Sequence, residues 1–211
     1  LDALLRDYFN DTSLKESITN VVIPAYELRQ ERIYTFDSQK ARESQRDNFK
    51  MRNVARATSA APTYLPAAEF ESEAQEKYLF ADGGIVVNNP SMAAFLRAQA
   101  LFPQAEVVHM LSLGTGYSKE DNLHALKKGG IVKWVPVISS VIMNGTSDFT
   151  HYMLTQRQGS LPEGTFDYMR IQPLLTKNRK GLDDIDEENL HYLSALTKRE
   201  IQEKEALFSS L

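Results

Sequence analysis

The stretch Leu79-Phe80-Ala81-Asp82-Gly83-Gly84 puts one carboxylate at the end of a short apolar run and two glycines directly after it. A strand that delivers an Asp to a tight turn fixes that side chain yet leaves it accessible. The glycines let another backbone or a ligand come close. An Asp held this way is a candidate for chemistry. The same residues also make an ordinary Asp-Gly turn, so on this hexapeptide alone both readings of Asp82 stand.

Three other groups invite comparison. Ala57-Thr58-Ser59-Ala60-Ala61 imitates a nucleophile elbow, with small residues on both sides of Ser59. A true elbow follows a buried strand and opens a helix. Here Lys50-Met51-Arg52-Asn53-Val54 precedes it, charged and helix-like, so a packing role for Ser59 is preferred. Gly114-Thr115-Gly116 follows the apolar run Glu106–Leu113. Open α/β sheets bind ligands outside the carboxyl ends of their strands, so these three residues can shape a pocket floor. They form neither a dinucleotide fingerprint nor a phosphate-binding loop, because Lys119 stands where a Gly is needed and no Gly-Lys-Ser/Thr follows. In Asn88-Asn89-Pro90, a helix cap and a first-turn proline account for Asn89 and Pro90. Asn88 has no structural duty and is a further pocket-shaping candidate.

Several chemistries are missing. There is no cysteine, which excludes thiol nucleophiles, disulfides and cysteine-liganded metal in this chain. No G-x-S-x-G occurs: Gly116-Tyr117-Ser118-Lys119-Glu120 and Gly145-Thr146-Ser147-Asp148-Phe149 start the pattern and fail at its last position. His109, His124, His151 and His191 are scattered and make no metal-binding helix motif. His109 is expected on a buried strand, satisfied by a neighbour. No metal and no cofactor is expected. A net charge of −4 gives no global basic character for nucleic acid.

The elements that must position these residues follow from pattern. Thr19–Leu28 and Arg32–Phe36 read as neighbouring strands. Asn48–Ala61 reads as a helix stopped by Pro62, and Tyr78–Ala81 as a short strand. Ser91–Phe102 reads as an Ala- and Leu-rich helix. Glu106–Leu113 reads as a central strand, Ile131–Met143 as a strongly apolar segment, and Phe166–Ile171 as a strand. Asp186–Leu207 reads as a long amphipathic helix, with Asp183, Asp184, Asp186, Glu187 and Glu188 gathered at its positive end. Strands separated by helices predict an α/β fold with a central, mostly parallel sheet flanked by helices. With 211 residues and ordinary globular composition, a single domain is expected. Leu1–Phe9 looks like a helix already under way and begins without Met. It is not a signal peptide, so the chain reads as a processed product or as part of something longer.

Val54–Ala67 (VARATSAAPTYLPA), Tyr78–Pro90 (YLFADGGIVVNNP) and Leu111–Gly116 (LSLGTG) occur in that order. Together they resemble the patatin-like phospholipases, with the bacterial branch nearest in character. Val21–Leu28 and Tyr34–Phe36 also look like that family's strand pair ahead of the helix. The resemblance covers residues 1–116 well. Residues 117–211 are expected to form a divergent, helical C-terminal part of the same domain.

The resemblance implies a Ser–Asp dyad in place of a Ser-His-Asp triad. Asp82 is then the dyad Asp, with Gly83 and Gly84 completing its motif and keeping space above it. The family's Gly-rich oxyanion loop and its G-x-S-x-G serine both lie upstream of Leu1. The chain therefore reads as the C-terminal portion of the domain, lacking its N-terminal strands. Two βα units of roughly 30 residues each put the missing part at about 60–100 residues, and this portion alone is expected to be inactive. Its expected partner is the N-terminal half of the same domain, as a companion chain or as residues outside this sequence.

The implied substrate is a phospholipid or another acyl-ester lipid, and the implied reaction is ester hydrolysis through an acyl-enzyme. A peripheral membrane surface is a further expected partner. Ile131–Met143 can line an acyl groove or lie on a bilayer, although a helix packed on the sheet explains it more simply. The basic excess across Arg29–Arg56 can meet anionic headgroups or can be an ordinary solvated surface. The alternative to an enzyme is a patatin-like module that binds lipid or a protein partner without catalysis. A nucleotide-binding domain built on Gly114-Thr115-Gly116 is a weaker third reading.

Overall fold

A computed structural model describes residues 1–117, 129–175 and 184–205. His124, Ser118, Asp183 and the expected helix end at Leu207 lie outside these residues. The chain divides into two compact units, Leu1–Phe102 with Val135–Thr150, and Pro103–Trp134 with His151–Leu211.

The first unit opens with helix α1 (Asp2–Phe9). A hairpin follows, β1 (Val22–Glu27) and β2 (Arg32–Asp37), in antiparallel register from Val22↔Asp37 to Glu27↔Arg32. Short helices α2 (Ser38–Glu43) and α3 (Met51–Thr58) precede strands β3 (Ala68–Glu71) and β4 (Lys77–Asp82). Helix α4 (Ser91–Leu101) closes this run. The sheet order is β2-β1-β4-β3.

All three pairings in this sheet are antiparallel, so the expected mostly parallel character is not what this sheet has. The connections give the reason. Only Leu28–Glu31 separate β1 from β2, and only Ser72–Glu76 separate β3 from β4. Such links make hairpins, whereas a parallel crossover needs a dozen or more residues. Glu27 secures the first hairpin from inside: its fully buried carboxylate accepts the Gln30 N–H at 2.6 Å and the Leu79 N–H at 3.1 Å.

One face of the sheet carries the core. Tyr34 and Phe36 alternate inward on β2, Tyr78 and Phe80 on β4, and Phe49 joins them ahead of α3. Phe36 and Phe80 have ring centroids 4.9 Å apart at 60°, and Phe36 and Phe49 5.2 Å apart at 86°. These are the tilted and edge-to-face arrangements that aromatic quadrupoles favour. Asp37, at the end of β2, caps α2 by accepting the N–H groups of Gln39 and Lys40. It also pairs with Arg97 of α4, whose Nη2 donates to Oδ1 at 3.2 Å.

In the second unit, β5 (Val108–Leu113) pairs in parallel with β6 (Phe166–Ile171), from Val108↔Phe166 to Leu113↔Ile171. This is the parallel component of the fold. Among the described residues β5 has one neighbouring strand, and Leu111 and Leu113 are exposed. Among the described residues the expected central strand is thus an edge strand of this pair.

Helix α5 (Ile131–Ser160) supplies 135–150 to the first unit. Helix α6 (Glu187–Glu203) starts after Asp184 and Asp186, and the Asp184 carboxylate accepts the Asp186 N–H at 2.9 Å.

Candidate active site

Asp82 is the last residue of β4, paired in register with Ala25 of β1. Its backbone N–H donates to the Ala60 carbonyl at 3.0 Å. That contact gives the small residues of the 57–61 stretch a purpose. Ala57 and Ala60 are completely buried, and a larger side chain there would hold the end of α3 away from β4. Thr58 Oγ1 donates to the Pro24 carbonyl at 2.7 Å, fastening α3 to β1. Ser59 Oγ donates back to the Ala55 carbonyl at 2.7 Å. Ser59 therefore closes its own helix, in keeping with the packing role.

The turn after Asp82 is a short 3-10 helix, Gly83–Ile85. Asp82 Oδ1 accepts the Gly84 N–H at 2.6 Å. Burial pushes the Asp82 carboxyl above its ordinary value, and the Gly84 hydrogen bond opposes this as the smaller effect. Both follow from physical chemistry: desolvation penalises the charged form, and a donor to the carboxylate favours it. The result is a half-buried carboxylate held by one backbone donor.

The two glycines do different things. A side chain at Gly83 would run into the carbonyl of Pro24, with its β-carbon 2.7 Å from the Pro24 carbonyl carbon and 3.1 Å from Cγ. At Gly84 a β-carbon would stand 3.0 Å from Asp82 Oδ1, 3.5 Å from Met143 Cε and 3.6 Å from Asn88 Oδ1. Gly83 lets the turn sit down on β1. Gly84, by lacking a β-carbon, lets Asp82 Oδ1, Met143 Cε and Asn88 Oδ1 close in around it.

Asn88 and Asn89 meet α5 through their side chains. Asn88 Nδ2 donates to the Met143 carbonyl at 3.2 Å, and Asn89 Nδ2 to the Ser147 carbonyl at 3.4 Å. Asn89 Oδ1 also accepts the Ser91 N–H at 3.1 Å. The expected cap of α4 at Asn89, with Pro90 first in the helix, is not what forms: α4 begins at Ser91, Pro90 is its cap residue with no side-chain cap bond, and Asn89 makes a turn just ahead of the helix.

Asp82, Gly83, Gly84 and Asn88 thus come together in the first unit. Met143, the last residue of the apolar segment Ile131–Met143, joins them; the sequence marks that segment but not the nearness of Met143 to Asp82. Gly114, Thr115 and Gly116 belong to the second unit. There Gly116 has φ +93° beside Leu175, its N–H donates to Gln172 Oε1 at 3.4 Å, and the Gln172 side chain occupies the space next to Gly114. These contacts explain both glycines as parts of a tight loop.

His109 on β5 is half-exposed rather than buried, because it lies on the uncovered side of its strand. Its Nδ1 sits 2.9 Å from Asp167 Oδ2 on the neighbouring β6. His151 Nδ1 lies 3.1 Å from the Tyr168 hydroxyl. The basic residues of 29–56 are largely engaged: Arg46 with Glu76, Arg52 with Asp11, Arg56 with Asp2, and Arg42 with the carbonyls of Lys15 and Ser17. A paired surface explains them without a headgroup. Among the described residues no group of three His, Cys, Asp or Glu is arranged to hold a metal ion, and no helix is long and apolar enough to cross a membrane.

Comparison with known proteins agrees with the motif reading. The chain is 28% identical to patatin-like protein 3 of Arabidopsis thaliana, over 89% of this chain and 49% of that protein. It is 26% identical to patatin-like protein 1 of Oryza sativa subsp. indica, over 97% of this chain and 56% of that protein. With patatin-like protein 2 of Arabidopsis thaliana it shares 29% identity over 92% of the chain and 54% of the relative. The similarity continues well past residue 116, further than the three motifs reach. The chain spans about half the length of the curated relatives it matches. Residues 1–95, which include Asp82, Gly83, Gly84 and both asparagines, match the family model for patatin-like phospholipase.

Proposed function

We propose that this chain is the Asp-bearing portion of a patatin-like lipid acyl hydrolase. In this reading Asp82 is the general base of a Ser–Asp dyad whose serine comes from an upstream segment. The observation that carries the proposal is the state of Asp82: fixed at a strand end, half-buried, held by one backbone N–H, and followed by a glycine with no β-carbon to press on the carboxylate. Desolvation makes such a carboxylate a stronger base than a free Asp.

The chemistry runs in two halves. The serine Oγ attacks the ester carbonyl carbon while its proton passes to the Asp82 carboxylate. The tetrahedral intermediate collapses, the C–O bond to the alcohol breaks, and the alcohol leaves with that proton. An acyl-enzyme remains. Water then attacks it, giving its proton to Asp82, and the acid and the free serine are regenerated. The lipid substrate and the companion segment follow from the family reading, and a bilayer surface is the natural place to meet such a substrate.

The test uses the full-length protein. Ester hydrolysis falls by about a thousandfold or more in Asp82→Asn, since removal of a dyad member leaves only binding and oxyanion stabilisation. The same substitution leaves fluorophosphonate labelling of a serine strongly slowed. Wild-type turnover in Asp82→Asn refutes the dyad. A full-length protein with no reactive serine is instead the non-catalytic binding module.

A further inference from the structure

Arg56 is a nearly buried guanidinium with one nitrogen that the fold leaves unmet. Its side chain is 9% exposed. Nε pairs with Asp2 Oδ1 at 3.1 Å, and Nη2 donates to the Pro66 carbonyl at 2.9 Å. Nη1 is buried and has no hydrogen-bond partner. A charged donor in this state carries a desolvation penalty that a bound acceptor would remove. Arg56 lines a cavity of about 320 Å³ bounded by α1, α3 and β3, and Arg6 and Arg52 line the same cavity.

The placement follows from the sequence. Arg52 and Arg56 are four residues apart, so they share one face of α3, and α1 packs along that helix. Both bonds of Arg52 leave from Nη1, to the Asn10 carbonyl at 2.8 Å and to Asp11 Oδ1 at 3.1 Å. Its Nε and Nη2 remain for another acceptor. Arg6 is exposed, and its side chain has no partner among the described residues. Two carboxylates also line the cavity, Asp2 and Glu69. Glu69 is bound to Arg29, outside the lining, and Asp2 is the partner of Arg56. The lining therefore keeps an excess of positive charge. Guanidiniums that arrive from two helices suit an anion with several oxygens.

We propose that this cavity binds a soluble phosphate-class oxyanion, with Arg6 and Arg52 holding its outer oxygens and Arg56 Nη1 its innermost one. Asp2 is the built-in competitor: its side chain is 73% exposed, so it can swing out as the anion enters. The exposed carboxylates of Asp2 and Glu69 stand at the rim, where they repel an anionic bilayer and let a free anion pass between them. The site is separate from Asp82 and does not depend on the dyad.

The experiment titrates the full-length protein with sodium phosphate by calorimetry at neutral pH. Thermal melts in phosphate and in sodium chloride of equal ionic strength accompany it. Phosphate raises Tm above the chloride value, as a ligand of the native state does. Arg6→Ala weakens phosphate binding about tenfold, the scale of a hydrogen bond to a charged group. Its Tm in chloride stays at the wild-type value, because the side chain holds no other element in place. Asp2→Asn binds phosphate about threefold more tightly, since an exposed competing charge is gone. Arginines that only brace α1 against α3 predict neither change. Absence of a phosphate titration, equal Tm in the two salts, or affinity within twofold of wild type in either variant overturns the proposal. Binding to phosphatidic acid vesicles that free phosphate does not compete away also overturns it, and makes the arginines a headgroup surface instead.

Discussion

Gly83 lies directly against the carbonyl of Pro24, the same carbonyl that accepts the Thr58 hydroxyl at 2.7 Å. One backbone oxygen on β1 therefore fixes both the end of α3 and the turn that follows Asp82. This junction places the turn, and the Gly84 N–H then orients the carboxylate at 2.6 Å.

Replacing the two glycines separates these roles. Gly83→Ala forces a β-carbon into backbone that cannot move without disturbing β1. It is expected to cost about 1–3 kcal/mol, as overpacking does. Gly84→Ala meets the Asp82 carboxylate at 3.0 Å, and that side chain can rotate away. It should lower hydrolysis with little loss of stability. Urea denaturation of both variants, alongside ester hydrolysis by the full-length protein, checks the contrast.

Burial of Asp82 gives a signed pH dependence. Its native pKa is raised above the ordinary value of 3.8, so between those two values the native state holds more proton than the unfolded chain. Stability falls as pH rises through that window and is flat above it. Asp82→Asn removes the penalty and keeps an acceptor for the Gly84 N–H. It is expected to melt higher than the parent at pH 7, with the difference vanishing below about pH 3.8. The activity of the full-length enzyme should decline in acid at a higher pH than a free Asp would dictate, because only the ionised form accepts the serine proton. Thermal melts across pH and a pH–rate profile measure the two effects.

The aromatic core and the asparagine link make separable stability predictions. Phe36→Ala empties a completely buried position among four other rings. A loss of about 3–5 kcal/mol is expected. Asn89→Ala removes the bond to the Ser91 N–H and the one to the Ser147 carbonyl in a buried setting. About 1 kcal/mol is expected there, the usual net worth of hydrogen bonds lost in a buried setting. Chemical denaturation read by far-UV circular dichroism orders the two variants.

Much of this arrangement is legible in the sequence alone. Alternation in Arg32–Phe36 and the apolar run before Asp82 mark strands because period-2 burial is a local property. Phe166–Ile171 coincides with β6 for the same reason. Strand direction was less legible. Sheet pairing is set by connection length and by which strands find each other, and alternation with helices suggested a parallel sheet where short links made hairpins. The nearness of Met143 to Asp82 was hidden for a related reason. Asn88 bonds to Met143 across 55 residues of sequence, and no local pattern encodes that contact. Asn88 itself was singled out only because no structural role was found for it.

The histidines provide the last test. His109 pairs with Asp167 across adjacent parallel strands at 2.9 Å, an arrangement that resembles the base and orienting acid of a hydrolase triad. Both side chains are more than one-third exposed, and exposed pairs contribute only about 0–1 kcal/mol. A Ser–Asp dyad needs no imidazole, whereas a triad loses about four orders of magnitude when its histidine is disabled. His109→Ala in the full-length protein is therefore expected to stay within twofold of wild-type kcat/KM and to shift stability by less than about 1 kcal/mol. A thousandfold loss without unfolding would transfer the base from Asp82 to His109 and replace the dyad with a triad.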